Sequence, residues 1–372
     1  MTYRALVVDD TAIFRKVISE ALSSVPGIEV VGTASNGALA LAKIQSSRPD
    51  LVFLDIEMPE MNGFEVLQAI RDQKIDVTVV MVSAFTRHGS AMTIRALELG
   101  AFDFITKSTD GSIEQNREKI NSAVSTILKA YTRQREIQSI LRGKPTPAAA
   151  APTAAAPRSP TQPARLPEIQ QRMEKLSRGA PIDMVVLGIS TGGPNALAQM
   201  LPRLPADLNV PVLIVQHMPP LFTKSLAESL DGRCALRVKE AEDGEIALPN
   251  YIYIAPGGRQ MKVTNGADGK IMIQITDDPP ENNCRPSADT LFRSVAHHFP
   301  GRACGVIMTG MGNDGTMGLR LMKRNGARVI AQDETSCVVF GMPKEAIEAG
   351  VVDTIVPLND IAGEIRKAIQ GM

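Results

Sequence analysis

Residues 51–63 read Leu-Val-Phe-Leu-Asp-Ile-Glu-Met-Pro-Glu-Met-Asn-Gly, and their reading decides the fold of the first half of the chain. Leu51–Leu54 is an apolar run too short for a helix, so it reads as a strand of a covered sheet. The run stops at Asp55, a turn passes through Pro59, and helical spacing takes over in Gly63–Ile70. The same unit recurs on both sides. Ala5–Val8, Val30–Thr33, Val77–Val82 and Phe102–Ile105 complete five strands. Ile13–Ser23, Ala38–Gln45, Ser90–Leu99 and Ile113–Lys129 complete five amphipathic helices. This (βα)5 order predicts a flavodoxin-like α/β domain: a parallel sheet, right-handed crossovers and helices on both faces.

Ligands of such sheets sit beyond the carboxyl ends of the strands. There the sequence places Asp9 and Asp10 after the first strand, Asp55 after the third, Ser83 at the fourth and Lys107 after the fifth. Three carboxylates converging on one rim repel each other unless a hard cation joins them, and Mg²⁺ takes such oxygen ligands. With a hydroxyl and an ammonium on the same rim, the set suits a transferable phosphoryl group, one carboxylate being its acceptor. A single Asp at a strand end is commonly a helix N-cap. That reading does not account for five rim positions together.

The whole chain has 372 residues, with 40 Lys+Arg against 40 Asp+Glu, a length that predicts two domains. Residues 1–142 hold 16 basic and 17 acidic residues, the remainder 24 and 23, so no charge asymmetry is hidden. That balance argues against nucleic acid as a partner. No run of 18 apolar residues occurs and the N-terminus runs straight into a strand, so the expectation is a cytoplasmic protein without membrane insertion. Cys234, Cys284, Cys304 and Cys337 form no C-x-x-C pair and read as buried reduced thiols. Between Pro145 and Pro163 there are six Pro, seven Ala and one charged residue, Arg158. Prolines at that density prevent a helix and give an extended spacer. Expected boundaries are a first domain over 1–141, a linker over 142–179 with a short helix at Gln170–Arg178, and a second domain over 180–372.

The second half begins with the strand Met184–Ile189 running into Gly188-Ile189-Ser190-Thr191-Gly192-Gly193-Pro194, a G-x-S-x-G pattern at a strand-to-helix turn. That context exposes a nucleophilic serine and aims helix-end amides at a developing oxyanion. A phosphate-binding turn or a plain Ser N-cap fits the same residues when they are read alone. The strand Val212–Gln216 ends in His217, and Gly305–Met308 leads to Thr309-Gly310-Met311-Gly312-Asn313-Asp314-Gly315. A Ser, a His and an Asp thus each follow a hydrophobic strand, as a nucleophile, its base and the base's orienting carboxylate would. Asp314 alone also fits a turn residue before Gly315. His88 lies in the first domain, and His297-His298 reads as packing and surface. Met311 is a candidate amide for the oxyanion. Tyr251–Ala255, Met261–Val263 and Lys270–Ile275, with Asn265-Gly266 and Asp268-Gly269 as turns, read as an antiparallel appendage. The expected class is therefore a doubly wound, mostly parallel α/β hydrolytic domain carrying a small antiparallel hairpin.

Asp9-Asp10, Asp55-Ile56-Glu57-Met58-Pro59 with Gly63, Ser83-Ala84 and Lys107 resemble the receiver domain of two-component response regulators. The resemblance implies that Asp55 is the phosphoacceptor and that Asp9, Asp10, Asp55 and the Glu57 carbonyl hold Mg²⁺. It implies that Ser83 and Lys107 meet the phosphoryl group, that Phe104 is the aromatic switch, and that a histidine autokinase is the phosphodonor. Phe104 fits a core aromatic nearly as well. Gly188–Pro194, Gln216–Pro219, Pro256-Gly257-Gly258, Arg285–Asp289 and Thr309–Gly315 resemble the catalytic domain of the chemotaxis protein-glutamate methylesterases, the CheB family. This second resemblance implies Ser190 as nucleophile, His217 as base and Asp314 as its partner, with Thr191 and Met311 supporting the oxyanion. It also implies glutamyl methyl esters on the cytoplasmic domains of chemoreceptors as substrates and glutamine deamidation besides. No cofactor is expected for the esterase reaction, and a monomer is the default expectation. Arg285 and Ser287 are expected to line the substrate cleft. Asn313 stands where relatives often carry a small residue. The competing expectation is a phospho-regulated binding protein with an idle hydrolase domain. A DNA-binding regulator would need a basic recognition helix after the linker, and a strand stands there instead.

Overall fold

A computed structural model describes residues 2–107, 113–142 and 181–371; the expected linker and the helix at Gln170–Arg178 lie outside them. In the first domain the elements alternate as β1 (Tyr3–Val8), α1 (Ala12–Ser23), β2 (Ile28–Ala34), α2 (Gly37–Ser47) and β3 (Leu51–Asp55). They continue as α3 (Gly63–Asp72), β4 (Thr78–Ala84), α4 (Arg87–Glu98), β5 (Asp103–Lys107) and α5 (Ile113–Arg142). The strands pair in parallel in the order β2-β1-β3-β4-β5, the flavodoxin-like topology. All five residues of β3 are buried, as a strand covered on both faces requires.

The helix α5 outruns its expected end at Lys129 because its apolar stripe continues. Ile120, Val124, Ile127, Leu128 and Tyr131 are all buried, and the Tyr131 ring meets Tyr3 edge-on at 5.1 Å. After β3 the chain must turn sharply into α3. Asn62 and Glu65 form a reciprocal capping box there. A Cβ at Gly63 would lie 2.0 Å from the Asp55 carbonyl oxygen, so only glycine lets the helix start this close to the strand end.

The second domain is built on seven strands in the order β14-β13-β12-β6-β7-β9-β8, every pair parallel. These are β6 (Met184–Ile189), β7 (Val212–Gln216), β8 (Arg237–Glu240), β9 (Tyr251–Ile254), β12 (Ala303–Ile307), β13 (Arg328–Gln332) and β14 (Thr354–Val356). Helices α6 (Gly193–Met200), α7 (Phe222–Asp231), α8 (Ala288–His298), α9 (Thr316–Arg324), α10 (Met342–Glu348) and α11 (Ile361–Ile369) connect and cover them. The hairpin β10 (Gln260–Asn265) and β11 (Ile271–Thr276) is antiparallel, as expected.

Tyr251–Ile254 is a correction. It belongs to the main parallel sheet, between β7 and β8, and not to the appendage. Ile252, Tyr253 and Ile254 are buried consecutively, the signature of a strand covered on both faces rather than a half-exposed hairpin strand. The thiols are a second correction. Cys304 and Cys337 are buried, but Cys234 and Cys284 are only half-buried.

The carboxyl ends of β6, β7 and β12 gather on one side of the second sheet. Parallel register holds them level: Ile189 pairs with Gln216 and Ile307 with Gly188. The residues just beyond these strands are therefore neighbours across the sheet edge.

Candidate active site

At the rim of the first sheet, Asp9 and Asp55 are buried, and the Lys107 ammonium bridges them at 2.7 Å to each carboxylate. Burial pushes the Asp55 carboxyl up to about 6 and raises Asp9, with Lys107 opposing both shifts. Burial works against the Lys107 charge, but the two carboxylates outweigh it and hold its pKa above the usual lysine range. Carboxylate oxygens of Asp9, Asp10 and Asp55 lie within 4.8 Å of one another, an all-oxygen set that fits a hard divalent cation such as Mg²⁺. Glu57 is exposed and its amide points back to Asp55 Oδ1 at 3.4 Å.

Ser83 is on the same strand end, and its hydroxyl is engaged by α4. It accepts from Thr93 Oγ1 at 2.7 Å and donates to the Gly89 carbonyl at 3.2 Å. Phe104 points the other way, out of the first domain. Its ring stacks on Phe222 of α7 at 4.8 Å with an interplanar angle of 15°, so it packs against the second domain. Around that stack, Ser90 and Ser225 share a 2.8 Å hydrogen bond. Glu98 accepts from Ser229 and pairs with Arg233, and Asn195 donates to the Ala101 carbonyl at 3.1 Å.

In the second domain, Gly192 holds φ +74° at the turn after β6, a conformation in which glycine is unstrained. A Cβ at Gly193 would sit 1.9 Å from Gln216 Oε1. The missing side chain lets Gln216 lie across the turn, where its Nε2 donates to the carbonyls of Ser190 at 3.0 Å and His217 at 3.2 Å. One buried amide thus ties the serine turn to the histidine loop.

His217 Nε2 lies 2.7 Å from Asp314 Oδ2. Asp314 is buried and also accepts from Ser287 Oγ (2.7 Å), Asn282 Nδ2 (2.9 Å) and the Ala288 amide (2.7 Å). Burial disfavours its charge, but His217 and these donors outweigh burial and hold the carboxyl down at about 2. Burial likewise works against an imidazolium at His217, yet the bonds to Asp314 and Cys284 lift it to about 9.

Ser190 and His217 line one cavity of about 240 Å³ between the domains, closed on the other side by Asp103, Phe104 and Ile127. Burial pushes the Asp103 carboxyl up to about 7. The Ser190 hydroxyl makes no hydrogen bond among the described residues; what stands opposite His217 Nδ1 is the Cys284 sulfur, at 3.6 Å. The expected Ser–His contact is therefore not made in this arrangement, while the His–Asp contact is. The amides of Thr191 and Met311 donate to no acceptor among the described residues, which leaves both available to a ligand oxygen. Ser287 is a correction: it caps α8 and supports Asp314 rather than lining the cleft. Arg285 and Asn313 are exposed. His88 is also exposed, and His297 packs edge-on against His298 at the end of α8, as expected.

An acidic, lysine-bridged rim on a (βα)5 sheet, joined to a parallel-sheet domain with a His–Asp pair beside a serine turn, defines a receiver-coupled hydrolase. Family models agree. "Response regulator receiver domain" matches residues 5–117 and "CheB methylesterase" matches residues 185–365. A protein from Desulfotalea psychrophila named "Protein-glutamate methylesterase/protein-glutamine glutaminase" is 51% identical over 99% of this chain and 98% of its own length. A Bacillus subtilis protein of the same name is 43% identical over 99% of this chain and 98% of its own. One from Koribacter versatilis, carrying that name with the number 2, is 44% identical over 96% and 93%. The chain belongs to the CheB family of receiver-bearing protein-glutamate methylesterases.

Proposed function

We propose that this chain hydrolyses γ-glutamyl methyl esters on chemoreceptor cytoplasmic domains, and deamidates receptor glutamines, with Ser190, His217 and Asp314 as its triad. The 2.7 Å bond between His217 and Asp314, beside a serine turn with unclaimed amides, is the observation that carries the reading. Because Asp314 engages Nε2, the nitrogen left to accept the serine proton is Nδ1. Opening of the cavity and departure of the Cys284 sulfur from Nδ1 let Ser190 approach it. The serine oxygen then attacks the ester carbonyl as its proton passes to Nδ1. Thr191 and Met311 amides receive the oxyanion. The tetrahedral intermediate collapses, the proton returns from Nδ1 to the leaving oxygen and methanol departs. Water repeats the sequence on the acyl-serine to give glutamate and free Ser190. With a glutamine, ammonia leaves in place of methanol. Asp314 stays ionised throughout, and the esterase step needs no cofactor.

The first domain supplies the control. A histidine kinase provides the phosphoryl group and Asp55 accepts it; Asp9, Asp10, Asp55 and the Glu57 carbonyl would hold Mg²⁺, which would supply positive charge to the phosphoryl oxygens. Lys107 then leaves its bridge to pair with the phosphoryl oxygens, and Ser83 turns from Thr93 to meet them. Phe104, stacked on Phe222 at the mouth of the Ser190 cavity, is the element through which that change loosens the closed arrangement. The proposed boundaries are 1–141 for the receiver, 142–179 for the linker and 180–372 for the esterase, and the proposed state is a cytoplasmic monomer. The experiment is methanol release from methylated receptor membranes by the wild-type chain and by Ser190→Ala. The variant should release none while keeping its circular dichroism and melting temperature. Release at the wild-type rate would contradict the assignment.

A further inference from the structure

Cys284 is separated from His217 by 67 positions in sequence, yet its sulfur faces the one imidazole nitrogen that Asp314 leaves open. Nothing in hydrolysis of an ester by a serine calls for a thiol there. Cys284 Sγ, a nitrogen of His217 and a carboxylate oxygen of Asp314 all lie within 4.8 Å of one another. We propose that Cys284 and His217 form an inhibitory site for a thiolate-seeking divalent cation, Zn²⁺, with Asp314 as the outer carboxylate. The inhibition, though not the binding, rests on His217 being the base of the esterase.

The geometry suits that ion. The Nδ1–Sγ separation is 3.6 Å. A tetrahedron with Zn–S about 2.3 Å and Zn–N about 2.0 Å has an edge of about 3.5 Å, so the two donors already stand one ligand edge apart. Asp314 accepting from Nε2–H fixes the tautomer that presents Nδ1 as a lone pair, the carboxylate–histidine–metal arrangement in which the outer partner sets the ring. The bond from Asn282 Nδ2 and the bond from Ser287 Oγ hold that carboxylate in turn. Both His217 and Cys284 are half-buried, so an ion can reach them, and water fills the remaining positions. On binding, the thiol S–H breaks and a Zn–S bond forms, and below about pH 9 the proton on Nδ1 is displaced as well; both protons go to solvent and no electron is transferred. An ion on Nδ1 occupies the lone pair that would take the Ser190 proton. The receiver rim, made of oxygen donors and a lysine, offers no sulfur or imidazole and is a site of a different kind.

The test uses the full-length protein with Mg²⁺ saturating. Co²⁺, a spectroscopic substitute for Zn²⁺, should produce a thiolate-to-cobalt charge-transfer absorption that saturates at one equivalent and is displaced by Zn²⁺. Cys284→Ala and Cys284→Ser, checked by circular dichroism, should lack the band. In parallel, excess Zn²⁺ should lower the wild-type methanol-release rate about tenfold or more, reversibly with a chelator, and each variant's own rate by less than about twofold. A band that persists in both variants, no band in the wild type, or equal Zn²⁺ sensitivity in all three would overturn the proposal. A band lost in the variants, with a wild-type rate indifferent to Zn²⁺, would keep the metal site and contradict His217 as the base.

Discussion

At the residue scale, the proposed triad makes the His217–Asp314 pair the source of both chemistry and pH response. Asp314→Asn preserves the packing around α8 but loses the acceptor that fixes the imidazole tautomer, so kcat should fall by about 10⁴-fold, as for other triads. Steady-state kinetics checks the fall, and circular dichroism should show the fold retained while the melting temperature drops, since the stabilisation of the charged pair goes with the carboxylate. His217 acts as a base only when neutral, and its pKa is lifted to about 9. The esterase rate of the resting enzyme should therefore climb with pH through about 9; a profile flat above 6.5 would show that the lift is absent. The folded-state pKa lies above the unfolded value of 6.5, so the pair's contribution to stability is complete below pH 6.5 and fades as pH rises through about 9. Asp314 behaves in the opposite sense. Its pKa is depressed to about 2, so its contribution is complete above 3.8 and is lost as pH falls through about 2. Ser190, His217 and Asp314 were readable because each follows an apolar strand of a parallel sheet. Cys284 and Asn282 were not, since what places them beside the His217–Asp314 pair is tertiary packing and not spacing.

At the element scale, the close approach of α3 to the end of β3 holds Asp55, the proposed phosphoacceptor. Gly63→Ala puts a methyl group against the Asp55 carbonyl and should cost about 1–3 kcal/mol, with slower phosphorylation by acetyl phosphate. Denaturant melts and phosphorylation rates check both effects. The inner strands β1, β3 and β4 of the first domain were legible from runs such as Leu51–Leu54 because strands covered on both faces are continuously apolar. In the second domain β8 escaped notice: Arg237-Val238-Lys239-Glu240 is charged because it is an edge strand, with only Val238 buried. Tyr251–Ile254 was assigned to the hairpin because its neighbours in sequence carry turn signals, whereas its burial places it beside β7. β14 has just three residues, below what a periodicity reading resolves.

At the scale of the whole molecule, the two domains meet where Phe104 of β5 and α4 of the receiver face α7 of the esterase. The Phe104–Phe222 stack is worth about 0.5–1.5 kcal/mol beyond its burial, and the surrounding polar contacts are modest, so the closed arrangement is reversible. Phe222 is buried in α7, so Phe104→Ala is the cleaner cut. It should raise the unphosphorylated esterase rate roughly tenfold if the stack contributes about 1.4 kcal/mol to closure. The neutral total charge, 40 acids against 40 bases, fits a chain whose charges act in two small sites and not as a surface field. The most direct measurement is methanol release from methylated receptor membranes by the full-length protein, before and after acetyl phosphate with Mg²⁺. The account predicts a rise on phosphorylation that Asp55→Asn abolishes and Ser190→Ala removes altogether; equal rates with and without the phosphodonor, in a protein shown to be phosphorylated, would contradict it.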